Sequence, residues 1–205
     1  MWSWIAVCAA LVAAHPWLAL FIAFAAAIIE AVAVLGILIP GTPILMAVAG
    51  AAAVAGLPML PFLIVSIVGA IIGDFLSFWF GQRYSTQLRG MWPFRRYPRL
   101  ILRAEVFFHR YGPMSVALCR FVPVLRSTVP LVAGMAGMKR SRFLVANLAS
   151  AFVWAPVHVL PAQFAGVSIE RIVAGDWNRA AFAAAGLTVM LALAWCLHRT
   201  MRGVR

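Results

Sequence analysis

Three stretches of this 205-residue chain are almost free of charge. Residues 1–29 contain no Lys, Arg, Asp or Glu, residues 31–82 contain only Asp74, and residues 143–169 contain none. A helix needs about 20 predominantly apolar residues to cross the hydrocarbon core of a bilayer, and these runs meet that length several times over. The chain is 65% hydrophobic and 11% charged, whereas soluble domains are roughly 45–50% apolar and about 25% charged. The expected fold is an all-α integral membrane protein, a single membrane domain over 1–205. The start, MWSWIAVCAALVAA, has no basic residue before it and runs directly into further apolar sequence. It is expected to form a short interfacial helix over 1–15, with Trp2, Trp4 and Trp17 near headgroup level, rather than a cleaved leader.

The formal net charge is +12, and 16 of the 17 basic residues are Arg. In a soluble chain that balance would suggest nucleic acid. Here the arginines flank apolar spans, so the positive-inside bias accounts for them and nucleic acid is excluded by location. Segment 83–110 holds seven Arg against one Glu and is expected to be a cytoplasmic loop. Lys139, Arg140, Arg142 and the tail residues Arg199, Arg202 and Arg205 are expected on the same face, and the nearly balanced loop at 169–179 on the other. Arg83, Arg89, Arg95 and Arg96 would also touch anionic lipid. Cys8, Cys119 and Cys196 lie far apart in apolar runs, without metal-ligand spacing, and are expected to be buried free thiols.

Pro and Gly interrupt the apolar runs at IPGTP (Pro40, Gly41, Thr42, Pro43), at LPMLP (57–61) and at VPVLRSTVP (Pro123, Pro130). Such breaks are tolerated in a membrane only where protein or water satisfies the freed backbone groups. They recur within an internal repeat. PILMAVAG at 43–50 parallels PLVAGMAG at 130–137, and FLIVSIVGA at 62–70 parallels FLVANLASA at 143–151. The helix at about 61–82 must run toward the basic loop, whereas the helix at about 143–168 starts from a basic cluster, so the repeats are inverted. Repeat 1 covers 16–82 and repeat 2 covers 111–168, each a re-entrant helical hairpin followed by a transmembrane helix, with an extra C-terminal span over 180–198. The first hairpin is expected over 16–56 with its tip at IPGTP; the alternative is a full span over 16–38 and then a shallow loop. Inverted repeats with broken helices place substrate sites near the membrane midplane.

Four charges lie inside these runs: Glu30, Asp74, Arg120 and Arg126. Isolated, they would cost about 10 kcal/mol on insertion scales. Two readings follow. In one, each acid pairs with an arginine and only holds the repeats together. In the other, Arg120 and Arg126, flanking Pro123, bind an anionic headgroup with the backbone N–H groups of Ser127 and Thr128, because a guanidinium fork matches phosphate and a helix start favours anions. Glu30 and Asp74 would then exchange protons and so modulate affinity. His158 and Asn147 are expected to pack or bond between helices, His15 to mark a boundary, and Gly69–Gly73 to permit close helix packing. No HExxH, CxxC, GxSxG or P-loop pattern occurs, so no enzyme activity, cofactor or metal is expected.

The segment RFVPVLRSTVPLVAGMAGMKRSRFLVANLASAFVW (120–154) resembles the most specific motif of the DedA family, also called the SNARE-associated or VTT-domain family. GAIIGDFLSFWFGQR (69–83) and Glu30 with Gly36 and IPGTPIL are similar to its other conserved segments, and the likeness runs over about 15–170. The resemblance implies re-entrant hairpins in a multi-pass protein of the bacterial cytoplasmic (inner) membrane. It also implies proton-dependent transport of a membrane lipid, either recycling of undecaprenyl-phosphate or phospholipid translocation. The family's functional glutamate maps to Glu30 and its two arginines to Arg120 and Arg126. Many members carry an acid where this chain has Thr42, so proton exchange would fall to Asp74 or the coupling would differ. Polyprenyl-phosphate transport is the favoured function. A phospholipid flippase or scramblase, a non-transporting scaffold and a small-oxyanion importer are the alternatives, and self-association into a homo-oligomer is left open.

Overall fold

A computed structural model describes residues 3–33, 35–91, 95, 106–108, 110–120, 126–173 and 188. The predicted last span over 180–198 (Thr188 apart), half of the basic loop, the outer loop beyond Val173, the arginine-rich tail, Pro123, Trp2 and Cys196 lie outside the described residues, as do the side chains of Trp4 and Cys8. Every regular element among the described residues is helical: α1 (Ser3–Ala14), α2 (Pro16–Ala31), α3 (Leu35–Leu38), α4 (Gly41–Val54), α5 (Met59–Arg83), α6 (Ser85–Gly90), α7 (Pro113–Cys119), α8 (Thr128–Met135) and α9 (Arg140–Val173).

Among the described residues two helices, Met59–Arg83 and Arg140–Ser168, are long and apolar enough to cross a membrane. They match the spans predicted at about 61–82 and 143–168. At about 1.5 Å per residue, the 25 residues of α5 exceed a hydrocarbon core of roughly 30 Å. The sidedness of α5 is the reverse of a soluble helix. Leu60, Ile64, Val68, Ile72 and Leu76, spaced by four, are exposed, while Ser66, Asp74 and Ser77 are buried. A helix with its apolar stripe outward and its polar groups inward suits lipid, not water. In α9 likewise, Val145, Leu148, Phe152 and Val153 are exposed, while Asn147, Ser150 and Gln163 are buried. Pro156 and Pro161 lie inside α9 without ending it.

The first break falls earlier than the sequence predicts. IPGTP was expected to end the first arm, yet α2 stops at Ala31, residues 32 and 33 leave the helix, and α3 adds one further turn. A single helix over 16–38 is therefore not formed. The physical reason lies on another element. Ser77 Oγ of α5 donates to Ala31 O (3.1 Å) and accepts from Ala33 N (3.0 Å), so the groups freed at the break find a partner away from water.

The prolines of the repeat do occupy equivalent positions. Pro43 is the third residue of α4 and Pro130 the third of α8, where the missing N–H has no intrahelical partner to lose. The Ala-Gly pairs do not. Gly50 lies within α4, where a Cβ would press on Ala162 O, while Gly137 follows the end of α8 with φ of +72°. A left-handed residue after a helix end favours glycine.

The chain divides into two compact units, one of Met1–Ala23, Pro43–Ile64 and Pro156–Arg205, the other of Phe24–Thr42 and Val65–Ala155. In the first, α4 packs on α9 through Gly50, Ala53, Ala162 and Gly166. It also holds an apolar cavity of about 320 Å³ lined by residues that include Leu11, His15, Ile22 and Val48. In the second, Gly69 and Gly73 of α5 seat against Phe24, Ala27, Ile28 and Ala31 of α2, the close approach expected of that pair. Its core includes Phe78, Phe108, Val116, Val129, Met138 and Phe143. Phe78 and Phe143 stack at 4.2 Å with 12° between rings. Cys119, a free thiol, is only partly buried against this cluster.

Candidate functional site

All four charges of the apolar runs belong to the second unit and form two ion pairs. Arg120 Nη1 lies 2.9 Å from Asp74 Oδ2, and Arg126 Nη1 lies 2.7 Å from Glu30 Oε1. Glu30 is 8%, Asp74 5% and Arg120 7% exposed. The sequence left open which acid takes which arginine; the structure assigns Asp74 to Arg120 and Glu30 to Arg126.

Each side chain is delivered by an interruption or by a helix face. Glu30 occupies the last turn of α2, and the chain then doubles back over it at two glycines. A Cβ on Gly36 would collide with the Glu30 carbonyl, and one on Gly41 would collide with Ala26 O and come within 2.8 Å of Glu30 Cβ. Glycine is required at both positions because backbone approaches backbone. Gly36 also admits Ser127, whose Cβ would be 3.1 Å from the added atom. Thr42 is the second residue of α4. Its Oγ1 donates to Glu30 Oε1 at 2.5 Å and accepts from Arg126 Nη1 at 3.1 Å. Asp74 projects from the buried face of α5. Arg120 directly follows α7, and Arg126 lies two residues before α8.

The arginines are held differently. Beyond Asp74, Arg120 Nη1 donates to Asn147 Oδ1 (3.0 Å), Asn147 O (3.3 Å) and Ser150 Oγ (2.9 Å). Asn147 is itself fixed, its Nδ2 donating to Ile71 O of α5 at 3.0 Å. Arg126 has only Glu30 and Thr42 as polar partners among the described residues. Both guanidiniums face the indole of Trp154, Arg126 at 5.0 Å and Arg120 at 5.7 Å from the ring centroid, within cation–π range. Trp154 is 1% exposed. Asn147, Ser150 and Trp154, spaced by three and four, present one face of α9 to the charges.

Of the residues predicted to bind phosphate, Arg120 and Arg126 meet at this ring. Ser127 is buried immediately before α8, and its hydroxyl does not cap the helix. Thr128 opens the helix and is half-buried. Pro40, Gly41, Thr42 and Pro43 adjoin the site at the start of α4, and Pro130 lies inside α8 rather than at a tip. Glu30 Oε2 is buried with no hydrogen-bond partner among the described residues. Among those residues no group of His, Cys, Asp and Glu has the makings of a metal site. Ser150 and the placement of Trp154 escaped the sequence reading. The available signal was their spacing from Asn147 in an uncharged helix.

The VTT domain model matches residues 39–164, which include every charged residue of the site except Glu30. The chain is 32% identical over 148 residues to the inner membrane protein YabI of Escherichia coli (strain K12), covering 70% of this chain and 57% of that protein. It is 26% identical over 143 residues to an uncharacterized membrane protein of Buchnera aphidicola subsp. Schizaphis graminum, covering 69% and 56%. It is 32% identical over 152 residues to the uncharacterized membrane protein slr0232 of Synechocystis, covering 66% and 64%. The chain thus spans little more than half the length of the first of these relatives. No solved structure matches it.

Proposed function

This chain belongs to the VTT-domain (DedA) family of membrane proteins, and on that premise we propose that it is a lipid transporter. It returns a polyprenyl-phosphate such as undecaprenyl-phosphate across the bacterial cytoplasmic membrane, without enzymatic chemistry or cofactor. The observation that carries this reading is the pair of buried guanidiniums facing one indole, each held by a single carboxylate. Arginine forks are the side chains best matched to phosphate oxygens. Ser127 and Thr128 at the start of α8 would add backbone donors for the anion.

With both acids ionised the four charges cancel, so an arriving phosphate must displace a carboxylate. A proton on Glu30 or Asp74 weakens that carboxylate's hold and opens the guanidinium to the lipid. The unpartnered Glu30 Oε2 is the oxygen available to take it. Thr42 holds Glu30 and Arg126 together by its hydroxyl, where an acid stands in many family members. Proton exchange therefore rests on Glu30 and Asp74.

The membrane arrangement belongs to the same proposal. The 16 residues of α2 measure about 24 Å, short of a core of roughly 30 Å, and α7 and α8 are shorter still. We read α2 with α4, and α7 with α8, as hairpins entering from opposite faces in an inverted repeat, with the basic loop and C-terminus cytoplasmic. Lipids identified by mass spectrometry in the purified protein test the substrate class. Enrichment of polyprenyl-phosphate over bulk phospholipid is expected, whereas enrichment of one phospholipid would favour a flippase or scramblase.

The complete pairing of the four charges favours a second reading, in which they serve only to hold a scaffold together. The charge exchange Glu30→Arg with Arg126→Glu separates the two. A stably inserted but inactive protein supports the binding site, and restored activity supports the scaffold.

A further inference from the structure

We propose that Trp154 is a positioning residue that keeps Arg126 in the site while Glu30 lets it go. The inference rests on the reading of this site as one whose ion pairs open during transport. Among the described residues the polar partners of Arg126 both come from one stretch of chain, Glu30 at the end of α2 and Thr42 at the start of α4. When Glu30 is neutralised by a proton on Oε2, the charge attraction is lost and only neutral acceptors remain, the Glu30 Oε1 carbonyl and the Thr42 hydroxyl. A guanidinium so weakly held, on a turn between short helices, would leave the site. Arg120 faces no such risk, because Asn147 and Ser150 retain it independently of Asp74.

The indole provides what Arg126 lacks. It approaches the guanidinium to 5.0 Å from α9, an element separate from both acids. Its attraction for a cation needs no proton acceptor and does not titrate. The ring is almost fully buried, which strengthens the interaction by excluding water. Among the described residues the ring faces Arg120 and Arg126, each of which is paired with one acid, Asp74 and Glu30 respectively, and it serves both cations. It thus offsets part of their mutual repulsion when either carboxylate is neutralised. The consequence is a division of labour. Arg120 is the fixed post, Arg126 the exchangeable hand, and Trp154 the surface against which that hand waits for phosphate.

The test uses the full chain labelled with 5-fluorotryptophan and observed by fluorine NMR in lipid nanodiscs. Because the chain has eight tryptophans, the Trp154 signal is assigned by its loss in Trp154→Phe. Glu30→Gln mimics the protonated acid, and Arg126→Gln removes the cation. The Trp154 signal in Glu30→Gln is expected to stay near the wild-type position and apart from that in Arg126→Gln. Coincidence of the two variants would mean that the guanidinium leaves the ring once Glu30 is neutral, and would overturn the proposal.

A second arm measures undecaprenyl-phosphate translocation in phosphatidylethanolamine–phosphatidylglycerol vesicles. Trp154→Leu should raise the half-saturation concentration about tenfold with a smaller change in maximal rate, and Trp154→Phe should restore most of it. An unchanged half-saturation concentration in Trp154→Leu would also refute the role. Should Trp154→Leu fail to insert, the Glu30→Gln signal decides. Wild-type vesicles that move no polyprenyl-phosphate would sink the transport reading alone, since the NMR comparison needs no substrate.

Discussion

Arg120 and Arg126 carry the same charge, yet their surroundings predict different consequences of removal. Arg120 Nη1 meets a carboxylate, an amide oxygen, a carbonyl and a hydroxyl. Arg120→Gln leaves Asp74 buried without its cation and takes from Asn147 Oδ1 its guanidinium donor, a loss of about 3–5 kcal/mol. Arg126→Gln leaves Glu30 still bonded to Thr42, so its cost in stability should be smaller. The prediction is an order: denaturation midpoints in detergent fall further for Arg120→Gln than for Arg126→Gln, while both variants lose transport. An equal fall would contradict the asymmetry. Thr42→Val removes the hydroxyl that serves Glu30 and Arg126 together while keeping its shape. A loss of about 1.5–3 kcal/mol is expected, the range for a hydrogen bond to a charged group, measured by the same unfolding midpoint.

At the level of elements, the break after Ala31 depends on a side chain 46 residues away. Ser77→Ala would leave the Ala31 carbonyl and the Ala33 amide without that partner, a cost of about 1–3 kcal/mol. Glu30, one residue before the break, should then lose its alignment with Arg126. The expected result is a less stable, weakly active protein, whereas Ser77→Thr, which keeps the hydroxyl, should stay near wild type. This case also shows where the sequence was legible. The apolar runs specified α5 and α9 because length and the absence of charge are local properties. The four charged residues were visible because a charge in an apolar run is conspicuous on its own. The end of α2 was not visible, since Ala-Val-Ala-Val after Glu30 would continue a helix and only the distant Ser77 and the crossings at Gly36 and Gly41 explain the interruption. The doubled role of Trp154 was hidden for the same reason. One aromatic among many in an apolar helix gains its meaning only from the two arginines that reach it.

For the molecule as a whole, the outward stripe of α5 ties the chain to lipid. Val68 and Ile72 are exposed on the face opposite Asp74. An arginine at position 68 would sit in hydrocarbon without a partner, at a cost of about 2.5–3.5 kcal/mol on insertion scales. Val68→Arg should therefore reduce the membrane-inserted fraction, and Val68→Leu should not; full insertion of the arginine variant would argue against a lipid-facing stripe. Burying the acids and bases together while the apolar surface faces outward is what a transporter of an anionic lipid requires, because the headgroup must find its counter-charges inside. The central claim, that these arginines carry a lipid phosphate, is met most directly by vesicles containing purified protein and undecaprenyl-phosphate. The phosphate that becomes accessible to an added membrane-impermeant phosphatase is followed over time, with and without an imposed pH gradient. The account predicts translocation well above protein-free vesicles, accelerated by the gradient, and abolished by Arg126→Lys with normal insertion because a point charge does not reproduce the fork. Translocation no faster than in protein-free vesicles, or an Arg126→Lys protein as active as wild type, would contradict it.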